Sequence, residues 1–536
     1  MKRVLIMKKK YFVAMTIFLF CYTIYGQINT NEKPISFRLD VPALTISAKA
    51  VKSFAPLDMK KIELEDKNDE TNGRPPRFGY PHKVNYNLDN AGEWVTLATG
   101  DKIWRLVISC QNALSINLLY DKFWIPDGAK FFVYGKDRKQ TIGAMTSANN
   151  KGKKDDIQGF ATGLIFGDQI TLEYYLPKGV KETGIISVSN VIHGYRYTPT
   201  TTMNYGSSGS CQVNVNCSEG NNWQNEKNAV AMILVNGYRY CTGSLINTTA
   251  NDGRPLFLTA DHCLGGWATD YFKYDADTAP NLSHWSFYWH YESPVCANIF
   301  DPPFVSTSGA TVVANNSILD FALLQLWEDP LNVAGITPYY LGWDRSNNPG
   351  AGGVGIHHPA GDLKKISTYT QIPMTASLNG HGSNVWDLSW IQTSNGYSIT
   401  EGGSSGSPLI NNYRRVIGQC WSASTSNCYA NQEVSYGKFN LSWTGDGATD
   451  NRRRLRDWLD PNNTGVWNLD GDCGRVVNYS NTIVTGNVTV TSCGTINVQN
   501  VTVQNGARLT LNAKQVNITE PFNVQNWAEF IINVSP

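Results

Sequence analysis

Three short segments, far apart in the chain, carry side chains that could together break a peptide bond. His262 lies in "LFLTADHC", Asp320 opens "DFALLQL", and Ser405 lies in the turn "TEGGSSGSP". A serine hydroxyl is a weak nucleophile until an imidazole accepts its proton, and a carboxylate must hold that imidazole in one tautomer. The glycines around Ser405 let backbone N–H groups converge on one point, where they can stabilise an oxyanion. The three segments therefore predict acyl-transfer chemistry.

The sequence "DHC" also admits other interpretations, namely a metal site, a redox pair or a histidine that only fills the core. Besides Cys21 the chain has ten cysteines with no CxxC among them, which in an exported chain is more typical of disulfides than of metal ligands. Asp261 directly precedes His262, and neighbouring side chains in an extended segment point to opposite faces. Asp261 is therefore not expected to orient the imidazole.

The composition indicates a mainly β protein of several domains. The chain has 536 residues, of which 17% are charged and 12% aromatic, and Gly, Asn, Ser and Thr are plentiful. The formal net charge of +1 gives no extended field that would attract nucleic acid or an anionic membrane surface. Nucleic acid is therefore not an expected partner.

The first 26 residues have the pattern of a secretory signal peptide. Basic residues at Lys2–Arg3 and Lys8–Lys10 precede an apolar block from Tyr11 to about Ile24, which is too short to span a bilayer. A lipid anchor at Cys21 is disfavoured, because bulky Phe20 stands where such cleavage sites need a small residue. No later segment is long and apolar enough to cross a membrane, so we expect a secreted protein, extracellular or on the surface of a bacterial cell.

Four further regions follow the predicted signal peptide. Residues 27–77 are polar and predict an irregular linker, whereas residues 78–205 contain recurrent strand-like runs such as "AKFFVYG" and "ITLEYYL", which predict a compact all-β domain. Residues 206–470 contain the candidate site. Residues 471–536 repeat "VQNGARLTL" and "VQNWAEFII" at a spacing of 21 residues, which indicates a short β-solenoid.

Strands and one helix are predicted within residues 206–470. The apolar runs "AVAMILVNG", "RPLFLTA", "FALLQL" and "RVIGQC" are typical of buried strands. Near the end of the region, Leu455, Trp458 and Leu459 are spaced i, i+3, i+4, so that a helix could bury one stripe. An all-β body closed by a C-terminal helix is therefore expected.

These motifs, in this order, resemble those of the trypsin-type serine endopeptidases, whose usual forms are TAAHC, D-[IL]-A-L-L and GDSGGP. The similarity is greater to the secreted bacterial lysyl endopeptidases. It extends from about Gly206 to Leu469 and includes "CTGSL", "LTADHC", "GWDR", "IHHP", "GSSGSP", "SWTGDG" and "LRDWLDP". The resemblance implies a chymotrypsin-like double β-barrel that cleaves protein or peptide substrates without a metal or cofactor, preceded by a pro-domain that acts as inhibitor or chaperone.

The resemblance also implies a role for each residue of the candidate site. His262 would be the general base, Asp320 the acid that orients it, and Ser405 the nucleophile, with the N–H groups of Gly403 and Ser405 binding the oxyanion. Ser404 replaces the aspartate of GDSGGP, which in activated trypsins pairs with the new N-terminus. Activation by that ion pair is therefore not expected, and release from a covering pro-region is the simpler hypothesis.

Disulfides follow from the same comparison, and so does the interpretation of one histidine pair. The pair His357-His358 could be taken for metal ligands, but "IHHP" recurs in the family and a structural role is favoured. Cys110 and Cys420 are left without partners. The expected bonds are Cys211–Cys428, Cys217–Cys296, Cys241–Cys263 and Cys473–Cys493.

The residues that select lysine in the family are not matched in this chain. With "YG" and "SW" as anchors, the carboxylate at the base of the S1 pocket falls on Val434, and the histidine of its wall falls on Trp421; the passage "MTASLNG" lacks the family's tryptophan. Glu433 is one residue away from the carboxylate position, and a shift of one residue in a strand turns a side chain to the other face. The S1 candidates Thr400, Trp421, Val434 and Glu433 thus predict a neutral P1 residue.

Three functions remain open at this point. The first is a secreted serine endopeptidase made as a pre-pro-protein. The second is a catalytically silent binding protein of the same fold, although members of that kind usually lose a triad residue and all three positions are filled here. The third is an adhesin in which the C-terminal repeats dominate and attach the protein to the cell surface.

Overall fold

The computed structural model describes residues 32–38, 46–71, 74–196, 208–265, 282–298, 304–333, 335–380, 382–425, 428 and 432–534. The predicted signal peptide, Cys21 and the expected start of the central domain at Gly206 lie outside these residues. Within them, no helix is both long and apolar enough to cross a membrane.

Residues 78–196, called the N-terminal β domain below, supply most strands of two sheets around one core, and Val51–Phe54 of the preceding segment adds one more strand. One sheet has the order β1-β4-β12-β6-β7 with β3 on β4, and the other has the order β10-β5-β13-β2 with β11 on β5. Leu106 of the first sheet and Leu118 of the second belong to the same buried cluster, as expected for alternating strands that pack face to face. The strands are β1 (Val51–Phe54), β2 (Gly79–Asn87), β3 (Glu93–Thr96), β4 (Lys102–Cys110), β5 (Ser115–Trp124), β6 (Lys130–Gly135), β7 (Thr141–Met145), β8 (Gly152–Lys153), β9 (Asp156–Ile157), β10 (Phe160–Ala161), β11 (Ile165–Phe166), β12 (Gln169–Leu176) and β13 (Ile185–Gly194).

The prediction that residues 27–77 are irregular is wrong for much of that segment. It contains a short helix α1 (Ile35–Arg38), the strand β1, which pairs with β4, and a helix α2 (Met59–Thr71). The sequence of α2 is polar on nearly every face, and Ile62 is the only buried residue among those of its side chains that the structure describes. Tertiary ion pairs hold it instead, among them Asp66 with Arg77 at 2.8 Å. Because ion pairs to other segments hold this helix, it needs no apolar stripe, and its sequence shows no apolar periodicity.

Two further sheets lie within residues 206–470, the predicted central domain. The first has seven strands in the order β18-β17-β14-β15-β16-β20-β19, and the second runs β23-β22-β26-β27-β28-β25-β24 with β21 and β29 added beside β27. The strands are β14 (Val230–Val235), β15 (Arg239–Leu245), β16 (Leu256–Ala260), β17 (Ser286–Trp289), β18 (Val305–Ser308), β19 (Ala310–Asn316), β20 (Phe321–Leu326), β21 (Gly342–Asp344), β22 (Gly353–His357), β23 (Lys365–Tyr369), β24 (Met374–Ala376), β25 (Val385–Ser389), β26 (Pro408–Asn411), β27 (Arg415–Ala423), β28 (Glu433–Lys438) and β29 (Asn468–Leu469).

These two sheets are the halves of the predicted chymotrypsin-like double β-barrel, and the mainly β prediction is confirmed. The four strands predicted from apolar runs are β14, β16, β20 and β27. Two short helices, α3 (Phe439–Thr444) and α4 (Arg456–Leu459), follow the last long strand of the domain. Leu455 and Leu459 are fully buried, as the spacing predicted, although α4 is a single turn that Pro461 follows closely.

Short 3₁₀ turns connect many of these elements. They span Ala48–Ala50, Ser147–Asn149, Ser218–Gly220, Glu226–Ala229, Asp261–Leu264, Leu282–His284, Pro330–Asn332, Pro359–Gly361 and Asn451–Arg453.

Residues 476–534, which belong to the predicted C-terminal module, form a parallel β-solenoid, as the repeat predicts. One sheet stacks β30, β32 and β34 and the other stacks β31, β33 and β35, with Val503 paired to Val524. Side-chain amides form ladders from coil to coil, for example Asn497 with Asn478 and Asn517 at 3.0 Å. The strands are β30 (Val476–Val484), β31 (Asn487–Thr491), β32 (Thr495–Val503), β33 (Arg508–Ala513), β34 (Gln515–Val524) and β35 (Glu529–Val534).

Candidate active site

The register of two strands in the first sheet brings His262 and Asp320 together. β16 and β20 are antiparallel with Ala260 opposite Phe321, so His262 just after β16 and Asp320 just before β20 lie at the same end of the pair. His262 lies in the 3₁₀ turn Asp261–Leu264. Asp320 has a left-handed backbone conformation with φ of 53°, which aspartate adopts more readily than most residues.

The carboxylate of Asp320 holds the His262 side chain in one orientation. Nδ1 of His262 lies 2.8 Å from Oδ2 and 3.0 Å from Oδ1, and the backbone N–H of His262 donates to Oδ1 at 2.9 Å. Since a carboxylate can only accept, Nδ1 carries the proton and Nε2 presents a lone pair. This is the tautomer that a general base requires.

The two neighbouring carboxylates have different surroundings. Burial disfavours the charged imidazolium, but the charge and hydrogen bond of Asp320, helped by Asp261, outweigh it and raise the pKa of His262. Asp261 accepts a hydrogen bond from Asn315 Nδ2 at 2.7 Å, and burial raises the pKa of its own carboxyl to about 7. The ring nitrogen of His262 is therefore bonded to Asp320 and not to the residue next to it in sequence.

Ser405 lies in the second half of the barrel, just before β26, and its backbone packs against the strands that carry His262. Its carbonyl oxygen accepts a hydrogen bond from Thr242 N at 2.9 Å and lies 3.8 Å from Cys263 Sγ. A Cβ on the next residue, Gly406, would come within 2.7 Å of Ala260 N. Among the described residues Ser405 Oγ makes no hydrogen bond to His262 Nε2; such contacts are often loose before a substrate binds.

The turn before Ser405 presents two unbonded N–H groups. The backbone N–H groups of Gly403 and Ser405 have no acceptor within the part of the chain that the structure describes. Ala360 N donates to Gly402 O at 2.7 Å, and because a trans peptide directs its C=O and N–H to opposite sides, the Gly403 N–H points away from Ala360. Gly403 has a φ of 101°, and a Cβ there would lie 2.9 Å from His358 O. N–H groups in this arrangement could bind an oxyanion, and residues 401–405 are called the oxyanion turn below.

A cavity of about 340 Å³ opens beside Ser405. Of the predicted S1 residues, Thr400 and Trp421 line it. Val434 is fully buried in an apolar cluster, with Leu388 opposite it across the sheet, and Glu433 is exposed. The complete lining is Thr400, Glu401, Gly402, Ser405, Cys420, Trp421, Ser422, Ala423 and Thr425.

Glu401 is a lining residue that the sequence analysis missed. Its Oε1 accepts hydrogen bonds from Gly209 N at 2.8 Å and from Gln212 Nε2 at 2.6 Å, and burial raises the pKa of its carboxyl. Its position four residues before Ser405, inside the predicted oxyanion turn, is the sequence feature that indicates a place in the cavity wall.

Residues 76–78, which directly precede β2, cross this site. Tyr240 N donates to Pro76 O at 3.0 Å, and Phe78 N donates to Tyr238 O at 2.9 Å, so the segment pairs with the start of β15. A Cβ on Gly402 would lie 3.3 Å from the ring of Pro76. The segment therefore lies against the edge of the cavity, next to the oxyanion turn.

The structure contains four disulfides, and they join the pairs named above. The bond Cys241–Cys263 ties β15 to the turn that carries His262. Cys110 and Cys420 are free and buried. Cys420 lines the cavity, and burial raises the pKa of its thiol to about 12, so it carries no nucleophilic thiolate near neutral pH.

The histidine pair lies under the oxyanion turn. His357 is fully buried between Ser404 Oγ and Ser367 Oγ, each 2.8 Å from one ring nitrogen, and Nδ1 of His358 is 2.9 Å from Asp362 O. No group of His, Cys, Asp and Glu in the described residues is arranged to hold a metal ion. The pair thus takes part in hydrogen bonds with its own domain.

Comparison with known proteins agrees with this geometry. Residues 205–440 match the family described as lysyl endopeptidase, C-terminal domain. The resemblance to trypsin-type serine endopeptidases is confirmed. A lysyl endopeptidase from Pseudomonas aeruginosa is 28% identical over 371 residues, which is 62% of this chain and 72% of the relative.

Two solved structures that align with part of the chain are a Glu endopeptidase and a protease from M. tuberculosis. A Glu endopeptidase is 18% identical, with 44% of this chain and 93% of that chain covered and a TM-score of 0.26. A protease from M. tuberculosis in its active form is 16% identical, with 48% and 94% covered and a TM-score of 0.27.

Proposed function

We propose that the central domain is a serine endopeptidase that cleaves peptide bonds through an acyl-enzyme. The observation that carries the proposal is the pairing of His262 Nδ1 with both oxygens of buried Asp320, beside a turn with two unbonded N–H groups. The raised pKa of His262 supports the same role, because a stronger base accepts the serine proton more readily.

The reaction proceeds in two halves. Ser405 Oγ attacks the scissile carbonyl carbon while His262 Nε2 takes its proton, and the negative charge that develops on the carbonyl oxygen is bound by the N–H groups of Gly403 and Ser405. His262 then protonates the leaving amine. Water repeats the sequence on the acyl-enzyme, releasing the acid and restoring the Ser405 hydroxyl. Asp320 stabilises the imidazolium in both halves.

Replacement of the nucleophile tests this mechanism. Ser405→Ala and His262→Ala, purified after removal of the N-terminal region, should each lose at least about 10³-fold of the wild-type kcat on a mixed peptide substrate. Ser346→Ala, at a half-buried serine in the turn after β21 that does not line the cavity, is the matched control and should keep the wild-type rate. Wild-type protein that leaves every peptide intact would instead favour the silent binding protein.

The P1 residue of the substrate is proposed to be neutral. Val434 lies in the apolar core and Glu433 is exposed. Oε1 of Glu401 already accepts two hydrogen bonds. An ammonium group in the cavity would depend on the Glu401 carboxyl, whose pKa burial raises and whose Oε1 is already engaged, whereas a neutral side chain needs no counter-charge. In agreement, no lysine lies between Lys181 and Lys227, so a strictly lysine-specific enzyme could not cut itself near residue 206.

Cleavage of a peptide library, read by mass spectrometry, tests the specificity. Apolar or small residues should dominate P1. If wild-type protein cleaves after lysine and Glu401→Gln abolishes that preference, Glu401 is the selecting residue and the proposal of a neutral P1 is wrong.

The region before residue 206 is proposed to inhibit the protease until it is removed. The contacts of Pro76 with Tyr240 and Gly402 support this, because an extended substrate would have to displace them. Two ion pairs also join this region to the central domain, Lys151 with Glu328 at 2.9 Å and Asp69 with Arg239 at 2.5 Å. Full-length Ser405→Ala protein should not bind peptide substrate, whereas the same variant cut near residue 206 should; equal binding would contradict inhibition.

The protein is proposed to act outside the cell, with the solenoid as a means of attachment. Four disulfides in one chain are typical of secreted proteins. Deletion after about Gly471 should leave peptide hydrolysis unchanged and release the enzyme from the cell surface. Retention of the truncated protein on cells would contradict the attachment role, and loss of hydrolysis would show that the module is needed by the protease.

A further inference from the structure

The oxyanion turn is connected to a closed ring of buried hydrogen bonds. Ser404 Oγ accepts from Glu401 N at 3.1 Å and lies 2.8 Å from His357 Nδ1, and His357 Nε2 lies 2.8 Å from Ser367 Oγ. Ser367 Oγ donates to Ser398 Oγ at 3.1 Å, and Ser398 Oγ donates to Gln212 Oε1 at 3.1 Å. Gln212 Nε2 donates to Glu401 Oε1 at 2.6 Å. In order, the ring comprises Ser404, His357, Ser367, Ser398, Gln212 and Glu401.

Every bond of the ring can point in the same direction. If Ser404 donates its hydroxyl proton to His357 Nδ1, then Nε2–H donates to Ser367, and the remaining hydroxyl and amide groups donate onward without conflict. The network therefore assigns the Nε2–H tautomer to His357. Burial, with Lys365 nearby, lowers the pKa of His357 to about 3, so its ring remains neutral under ordinary conditions.

The ring closes around the residues that must present the two N–H groups. Ser404 N donates to Glu401 O at 2.9 Å and Ser404 Oγ accepts from Glu401 N, so the backbone and the side chain of Ser404 each bond to Glu401 at the other end of the turn. Gly403 O is held from the other side by Thr242 Oγ1 at 2.8 Å. Ser404 can keep this rotamer only while its hydroxyl has an acceptor, and His357 supplies that acceptor.

We propose that His357 is a positioning residue of the protease, which acts through Ser404 to hold the turn 401–404 with the N–H groups of Gly403 and Ser405 directed at the substrate carbonyl. This inference rests on the proposed function. The trypsin-type motif has an aspartate at the position of Ser404. In this chain a neutral ring of hydrogen bonds would hold the turn instead. His357 itself touches no substrate.

Two substitutions of His357 separate this role from simple packing. In His357→Asn the side-chain amide takes the place of Nδ1 and keeps the bond to Ser404, whereas in His357→Gln it takes the place of Nε2 and keeps only the bond to Ser367. We expect kcat within about threefold of wild type for His357→Asn and a loss of about 10- to 100-fold for His357→Gln, since removing one oxyanion donor outright costs about 10²–10³-fold. KM should change by less than about threefold in both.

Ser367→Ala provides the matched control, because it breaks the ring on the far side of His357 and leaves the Ser404 bond in place. It should reduce kcat less than His357→Gln, even where the two variants have equal melting temperatures. Equal losses of kcat in His357→Asn and His357→Gln, or losses that follow melting temperature alone, would overturn the positioning role. If His357→Gln does not fold, Ser404→Ala in the processed enzyme should show the same selective loss of kcat, and a wild-type kcat there would overturn the proposal.

The outcomes also distinguish this inference from the function on which it rests. Active wild-type enzyme with indistinguishable variants overturns only the role of His357. Wild-type protein that neither hydrolyses peptides nor reacts with a serine-directed probe overturns both, because there is then no oxyanion to bind.

Discussion

Replacement of Asp320 by asparagine removes the charge that orients the general base while preserving its shape. In the wild-type protein the carboxylate accepts from His262 Nδ1 at 2.8 and 3.0 Å and from the His262 backbone N–H at 2.9 Å. Asparagine offers a single acceptor oxygen. If that oxygen remains on the backbone N–H, the amide NH₂ faces Nδ1, and the ring must place its proton on Nε2.

A ring with its proton on Nε2 cannot accept a proton from Ser405. The same change in other Ser-His-Asp proteases costs about 10⁴ in kcat, or about 5.5 kcal/mol of transition-state stabilisation. Asp320 is also what raises the pKa of His262 against the effect of burial. The acid limb of the wild-type kcat/KM profile should therefore lie above the ordinary histidine pKa, and it should move to lower pH in Asp320→Asn.

Asp261→Asn is the matched control, because it removes a buried carboxylate one residue from His262 that bonds Asn315 and not the imidazole. Steady-state hydrolysis of a fluorogenic peptide, followed from pH 5 to pH 10, should show Asp261→Asn within about fivefold of wild type. Asp320→Asn activity within about tenfold of wild type, or an equal loss in both variants, would refute the assignment of Asp320.

Three further predictions concern stability. Burial raises the pKa of Asp261 to about 7, above its unfolded value, so wild type should lose stability relative to Asp261→Asn as pH rises from about 4 to about 8, by a few kcal/mol in urea denaturation. Cys241→Ser with Cys263→Ser should cost about 3 kcal/mol by the same method; an unchanged midpoint would contradict it. Glu292→Gln leaves the buried ammonium of Lys364, now 3.0 Å from that carboxylate, without a counter-charge, so calorimetry should show a loss of about 3–5 kcal/mol.

The identity of the candidate triad could be inferred from the sequence because each member lies in a distinctive local pattern. The apolar run that follows Asp320 predicts a buried strand. This run is β20, and its register with β16 places Asp320 beside His262. The distances themselves depend on the pairing of strands about 60 residues apart and could not be read locally. The solenoid was predictable because its repeat is in the sequence.

Features that depend on contacts between distant segments were not predictable. The helix α2 has no apolar stripe, since ion pairs to Arg77 and Arg239 hold it. The ring beneath the oxyanion turn joins residues from Gln212 to Ser404, and nothing local to His357 indicates that its partners are hydroxyl groups. Likewise, Pro76 gives no sign in sequence that it covers Gly402.

Covalent labelling of the processed protein tests the central claim most directly. A fluorophosphonate probe, followed by digestion and mass spectrometry, should add a single phosphonyl group to the peptide that contains Ser405. Labelling should be lost in Ser405→Ala, strongly slowed in Asp320→Asn and retained in Asp261→Asn. An unlabelled wild-type protein with its disulfides intact, or a label on a different residue, would contradict a serine nucleophile activated by His262.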